Sequence, residues 1–275
     1  MKTSIKSLIA AALTVCLALG CKKEDVSTST ITLACRVDAQ VVTTPNTGDR
    51  ITYYYDKDSQ IEASVYAQKD NGGSYSIGRT TTNYTYSSGL LTGATISGQT
   101  HEEKYDYTNG MLSKITMVKT TNSSDAGYMI MVETDANKRI VKLTDSRGVQ
   151  SVFKRDAKGN LVQQDRIKDG ALLSRIVWSD SDEKKTIEEL YKGWQFDIIN
   201  DYRIYMTEKV FTTGASGNPR KEIFYNAQNV AITEITHGYT YSAEGYPISQ
   251  TSVVKAISTG KESVTKNDYS LADCK

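Results

Sequence analysis

Residues 82–96 read TNYTYSSGLLTGATI, and residues 103–117 read EKYDYTNGMLSKITM. Each runs aromatic, polar, aromatic, then Ser-Gly or Asn-Gly, then an aliphatic stretch. Alternation of large and polar residues is the period of a strand with one buried face. The Gly-containing pairs supply the positive φ that tight hairpin turns demand. Each stretch therefore predicts two antiparallel strands joined by a turn.

The unit recurs with variations: ITYYYDKDSQIEASV at 51–65, VETDANKRIVKL at 132–143, SVFKRDAKGNLVQQ at 151–164, EIFYNAQNVAITEI at 222–235 and GYTYSAEGYPISQ at 238–250. Asp, Asn or Ser opens each turn, and Gly89, Gly110, Gly159 and Gly245 stand near its end. Asn229 substitutes there, whereas Ser59 and Lys138 fit less well. The distance from the last aromatic position to the glycine varies by one, which predicts loops of two lengths. The units are spaced irregularly, which excludes a strict solenoid period.

Composition agrees. Tyrosine is abundant, at 18 against 4 phenylalanines, and only 3 prolines interrupt the chain, a bias that favours strands. The expected fold is all-β: a large antiparallel meander of hairpins, curled into a barrel-like or rolled sheet. A membrane-spanning barrel is excluded, because charges fall on both faces of the strands where lipid would require an apolar band. Glu103 alternates with Lys104 and Asp106, and the neighbours Lys154 and Arg155 point opposite ways. A short helix is expected within 183–192, where Ile187, Leu190 and Tyr191 fall at helical spacing.

The hairpin units resemble tyrosine–aspartate (YD) repeats of Rhs-type proteins, DAKGNLVQQ at 156–164 most closely. The whole layout resembles a domain of unknown function with a porin-like fold that occurs in Bacteroidota lipoproteins. That resemblance implies a meander that curls or closes, and it brings no catalytic residue with it.

The N-terminal stretch, MKTSIKSLIAAALTVCLALGC, has Lys2 and Lys6 before a short apolar run and small Gly20 before Cys21. About 12 apolar residues in a helix reach only about 18 Å, too short to cross a ~30 Å hydrocarbon core. Ala18-Leu19-Gly20-Cys21 resembles a bacterial lipobox, with alanine where leucine is favoured, which implies cleavage before an acylated Cys21. Lys22-Lys23-Glu24-Asp25 resembles the export tag of surface lipoproteins. The expected organisation is a signal at 1–20, an acylated tether at 21–30 and a single β domain over 31–275. The expected location is the outer membrane, lipid-anchored and facing the cell surface.

Little chemistry is visible. The formal charge of +1, without basic blocks, argues against a nucleic-acid partner. His101 and His237, the two histidines, leave a metal site few ligands, and no cofactor is expected. Asp56-x-Asp58 and Asp180-x-Asp182 read as turn aspartates rather than calcium ligands, since neither continues into an EF-hand loop. Cys35 and Cys274 are an even pair, either a disulfide between the first and last strands or two separate thiols. No catalytic group stands out, so a non-enzymatic binding or structural module is expected. A glycan hydrolase using paired carboxylates and a carrier of a small amphipathic ligand are the alternatives. The one candidate binding feature is tyrosine. Tyr53 and Tyr55, Tyr84 and Tyr86, Tyr105 and Tyr107, and Tyr239 and Tyr241 form i, i+2 pairs just before a turn that share a strand face. Lined up, they would be either cross-strand packing or a platform for a glycan or peptide.

Overall fold

The computed structural model describes residues 35–44, 47–97, 101–119, 128–137, 139–190 and 217–274. Among them lie strands β1 (Arg36–Thr43), β2 (Gly48–Tyr55), β3 (Ile61–Lys69), β4 (Tyr75–Ser87), β5 (Leu90–Ile96), β6 (His101–Thr108), β7 (Met111–Lys119) and β8 (Tyr128–Thr134). They continue with β9 (Ile140–Asp145), β10 (Gln150–Arg155), β11 (Leu161–Lys168), β12 (Ala171–Ser179), β13 (Lys221–Tyr225), β14 (Ala231–Tyr241), β15 (Pro247–Ala256) and β16 (Glu262–Ala272). Each strand pairs antiparallel with its sequence neighbours, and β1 pairs with β16, so the meander closes into a barrel of 16 strands. Closure leaves no unpaired edge for another chain to extend.

The turns follow from their residues. Ser88-Gly89, Asn109-Gly110 and Asp169-Gly170 all have positive φ, the signature of two-residue hairpin turns. The longer loops share another geometry. In the one opening at Asp156, the Asp156 N–H donates to Asn160 O, and the Gly159 N–H donates back to Asp156 O. The same pair of bonds recurs at Asp56, Asn226 and Ser242. Asp56 Oδ1 also accepts the Asp58 and Gln60 N–H groups, which is the work of a turn aspartate. Both expected loop lengths are present. Ser59 and Asn229 occupy the left-handed position at φ 61° and 58°.

Each of these hairpins carries a register shift beside its turn, as between Tyr54 and Tyr55, Thr85 and Tyr86, and Asp106 and Tyr107. Bulges sharpen local twist and so help a sheet curl shut.

Register fixes the two faces. Tyr53 pairs with Ser64, Ser64 with Thr82 and Thr82 with Ile96, all buried, so this set points inward. On β2 to β12 the inward residues form one apolar cluster that includes Tyr53, Leu91, Ile115, Leu143, Phe153 and Trp178. An open channel of 16 strands would leave such side chains wet. The outer face is charged instead. Ion pairs join Lys114 to Asp106, Lys142 to Glu133, Arg175 to Asp165, Lys221 to Glu234 and Lys266 to Asp268. No helix among the described residues is long and apolar enough to cross a membrane. Of the helix expected within 183–192, the described residues show a single 3₁₀ turn, Ile187–Leu190, whose Ile187 and Leu190 join the apolar cluster, and Tyr191 lies outside the described residues.

Candidate functional site

Closure turns the tyrosine pairs inward. Tyr84 and Tyr105 are 6% and 3% exposed, so of the two alternatives, packing and platform, these two rings fit packing, while Tyr86 and Tyr107 are half-buried. Their hydroxyls are also committed. Tyr84 bonds Ser64 Oγ at 3.1 Å, and Tyr105 donates to the carboxylate of buried Glu103. The outer members of three pairs, Tyr53–Tyr55, Tyr84–Tyr86 and Tyr105–Tyr107, follow a rule around one rim. Tyr107 donates to Leu91 O, Tyr86 to Ile61 O and Tyr55 to Val37 O. Leu91 stands opposite Tyr86 and Ile61 opposite Tyr55, so each phenol holds the strand that faces the preceding phenol. Burial pushes the Tyr107 hydroxyl up to about 12 and raises Tyr55 and Tyr86 as well, keeping all three protonated as donors.

The inner wall changes character from β13 to β16 and across to β1. Here the inward positions mix apolar residues such as Phe224, Ile235 and Val254 with a connected set of polar side chains, some buried and some half-buried. Gln40 Nε2 donates to Asn267 Oδ1, and Asn267 Nδ2 donates to Gln250 Oε1 at 3.2 Å. Gln250 Nε2 lies 3.2 Å from the Tyr239 hydroxyl and 3.1 Å from His237 Nδ1. His237 in turn contacts Ser252 Oγ at 2.8 Å and Glu222 Oε1 at 2.9 Å. The rings of His237, Tyr239 and Tyr241 succeed one another at centroid spacings of 6.1 and 6.0 Å. Tyr241 donates to Asp182, which also accepts the Asn218 and Lys184 N–H groups and so ties the approaches of β12 and β13 together. Burial alone would raise the Asp182 carboxyl, but these donors outweigh it and hold it below its ordinary value.

Of the residues singled out in the sequence, Tyr239 and Tyr241 belong to this wall and Tyr84, Tyr86, Tyr105 and Tyr107 to the apolar side. Cys35 and Cys274 form a disulfide with Cα atoms 4.2 Å apart, next to the β1–β16 seam. Cys21, the signal and the tether lie outside the described residues. His101 opens β6, away from His237. Among the described residues no His, Cys, Asp or Glu cluster could hold a metal ion. The sequence reading missed Glu222, Gln250 and Ser252. The available signal was spacing: Glu222, His237 and Ser252 are each 15 residues apart, on three consecutive strands.

No family model matches the chain. No curated protein is similar to it in sequence. Among solved structures it is similar to a porin-like protein from Bacteroides uniformis, with a TM-score of 0.59 at 12% identity, covering 86% of this chain and 98% of that one. A porin-like protein from Bacteroides vulgatus is matched over the same shares at 12% identity with a TM-score of 0.36. The likeness to the Bacteroides uniformis structure is one of fold: an all-β, antiparallel, closed barrel of the porin-like kind.

Proposed function

We propose that this chain is an envelope lipoprotein, acylated at Cys21 and held at the outer membrane facing the cell surface, whose barrel binds a hydroxyl-rich ligand of glycan type. The carrying observation is the polar wall on β13 to β16. Gln40, Gln250 and Asn267 present amide donors and acceptors beside the half-buried rings of Tyr239 and Tyr241. Amides match the mixed donor and acceptor pattern of sugar hydroxyls, and tyrosine adds an apolar face with a polar tip. The lipobox-like Ala18-Leu19-Gly20-Cys21, the Lys22-Lys23-Glu24-Asp25 tag and the porin-like fold shared with the Bacteroides uniformis protein support the envelope location. The YD-like units serve here as hairpin formers.

A glycan array on the purified chain, followed by titration of the hits, tests the binding role. Gln250→Ala should weaken a hit by about tenfold, as loss of a well-placed hydrogen bond does, with the thermal melt retained. Saturable binding of peptides alone would replace the glycan with a peptide, and no saturable ligand of either class would end the proposal. Fatty-acid labelling tests the anchor separately: Cys21→Ala should abolish the label, and a label that persists would refute acylation there.

A further inference from the structure

Glu222 on β13, His237 on β14 and Ser252 on β15 form a carboxylate–imidazole–hydroxyl chain across three neighbouring inward-facing strands. His237 and Ser252 are direct cross-strand partners, and Glu222 reaches His237 on the diagonal. Glu222 Oε1 lies 2.9 Å from His237 Nε2, and Ser252 Oγ lies 2.8 Å from Nδ1. In the tautomer in which Glu222 accepts from Nε2–H, Nδ1 presents its lone pair to the serine. The arrangement is a nucleophile, a base and a group that orients the base, each within hydrogen-bond reach of the next. Gln250 Nε2, 3.1 Å from the same Nδ1, is the adjacent amide donor, and its own oxygen is held by Asn267 and Tyr269.

We propose that Ser252 is a nucleophile activated by His237, and that this inner wall hydrolyses small carboxylic esters. Ser252 is 8% exposed, which restricts the site to small acyl groups, and the inward Ser263 farther along the wall is exposed. Ser252 Oγ attacks the ester carbonyl carbon and forms the new C–O bond as its proton passes to His237 Nδ1. Glu222 stabilises the resulting imidazolium. Collapse breaks the bond to the leaving alcohol, which takes the proton from Nδ1. Water, deprotonated by the same nitrogen, then cleaves the acyl-serine and releases the carboxylic acid. Ser252 and His237 are the catalytic residues, and Glu222 is a positioning residue. The proposal adds chemistry to the binding wall and does not depend on glycan recognition.

The test is a fluorophosphonate probe on the intact, full-length protein, read by peptide mass mapping. One adduct is expected at Ser252, together with hydrolysis of p-nitrophenyl acetate that disappears in Ser252→Ala. His237→Gln should slow labelling by on the order of 100-fold or more, the usual scale of general-base catalysis. Glu222→Gln should slow it less and change the tautomer of His237 seen in imidazole ¹⁵N shifts, a readout that loss of packing alone would not move. No adduct at Ser252 in the wild-type protein overturns the proposal without recourse to any variant. Labelling at an unchanged rate in a folded His237→Gln protein overturns it too. The probe carries no sugar, so its outcome is independent of the glycan titration.

Discussion

Replacing Tyr105 by alanine removes a ring that is 3% exposed on the inner wall, opposite Ile115, and with it the hydroxyl that donates to Glu103, itself 1% exposed. Two terms add. Truncating a buried aromatic costs about 3–5 kcal/mol through lost transfer energy and the cavity left behind. Leaving a buried polar partner without its hydrogen bond costs roughly 1–3 kcal/mol. Tyr105→Phe keeps the ring and isolates the second term. Tyr54→Ala supplies the control, since Tyr54 is 48% exposed on the outer face of β2 and should cost within about 1 kcal/mol. Urea unfolding followed by far-UV circular dichroism reads all three. The expected order is Tyr105→Ala at about 4 kcal/mol or more, Tyr105→Phe at about 2, and Tyr54→Ala near zero. For a chain of this size, about 4 kcal/mol corresponds to a drop in Tm of roughly 8–16 °C. A Tyr105→Ala protein no less stable than Tyr54→Ala would refute the inward assignment of the tyrosine pairs.

Ser59 holds a left-handed φ of 61°, so Ser59→Gly should stabilise the barrel by up to about 1 kcal/mol, with glycine's looser unfolded state offsetting part of the relieved strain; a lower Tm would contradict this. Reducing the Cys35–Cys274 disulfide, with its sequence separation of 239, should cost about 5 kcal/mol by the chain-entropy argument, and a urea midpoint unchanged by reductant would contradict that. Burial alone would raise Asp145 and Asp165, but donors outweigh it: Val149, Arg147 and Tyr128 for Asp145, and Arg175 and Gln163 for Asp165. Both folded-state values therefore lie below the unfolded one of about 3.9, so their contribution is present above that pH and is lost as pH falls through the folded values. Acid titration of stability should show the loss below about pH 4, and Asp165→Asn should diminish it.

What could be read from the sequence was local. Ser88-Gly89 and Asn109-Gly110 announced their turns because positive φ at two successive positions admits few residues. The Asp-led loop at 156–160 was equally legible from its opening carboxylate and its Gly159. The i, i+2 tyrosines were placed on one face because a strand leaves no other choice. Which face that was depended on closure. The pairing of β1 with β16 joins residues such as Gln40 and Tyr269 from opposite ends of the chain, and no local pattern encodes it. The same limit hid the polar wall. Glu222, His237 and Ser252 belong to no contiguous motif and meet only after β13, β14 and β15 settle into register. The exclusion of catalytic groups rested on motifs, and a site assembled across strands has none to show.

Closure is the claim on which the inward faces, the tyrosine rim and the polar wall all depend. Amide hydrogen exchange on β1 and β16 in disulfide-reduced protein tests it most directly, because reduction removes the covalent staple and leaves strand pairing alone to protect the seam. The account predicts that Gln40, Val41 and Val42 and their partners Tyr269, Asp268 and Asn267 exchange as slowly as the amides of the central strands β6 and β7. Fast exchange along both strands, with β6 and β7 still protected, would mean an open sheet with two free edges and would contradict the barrel.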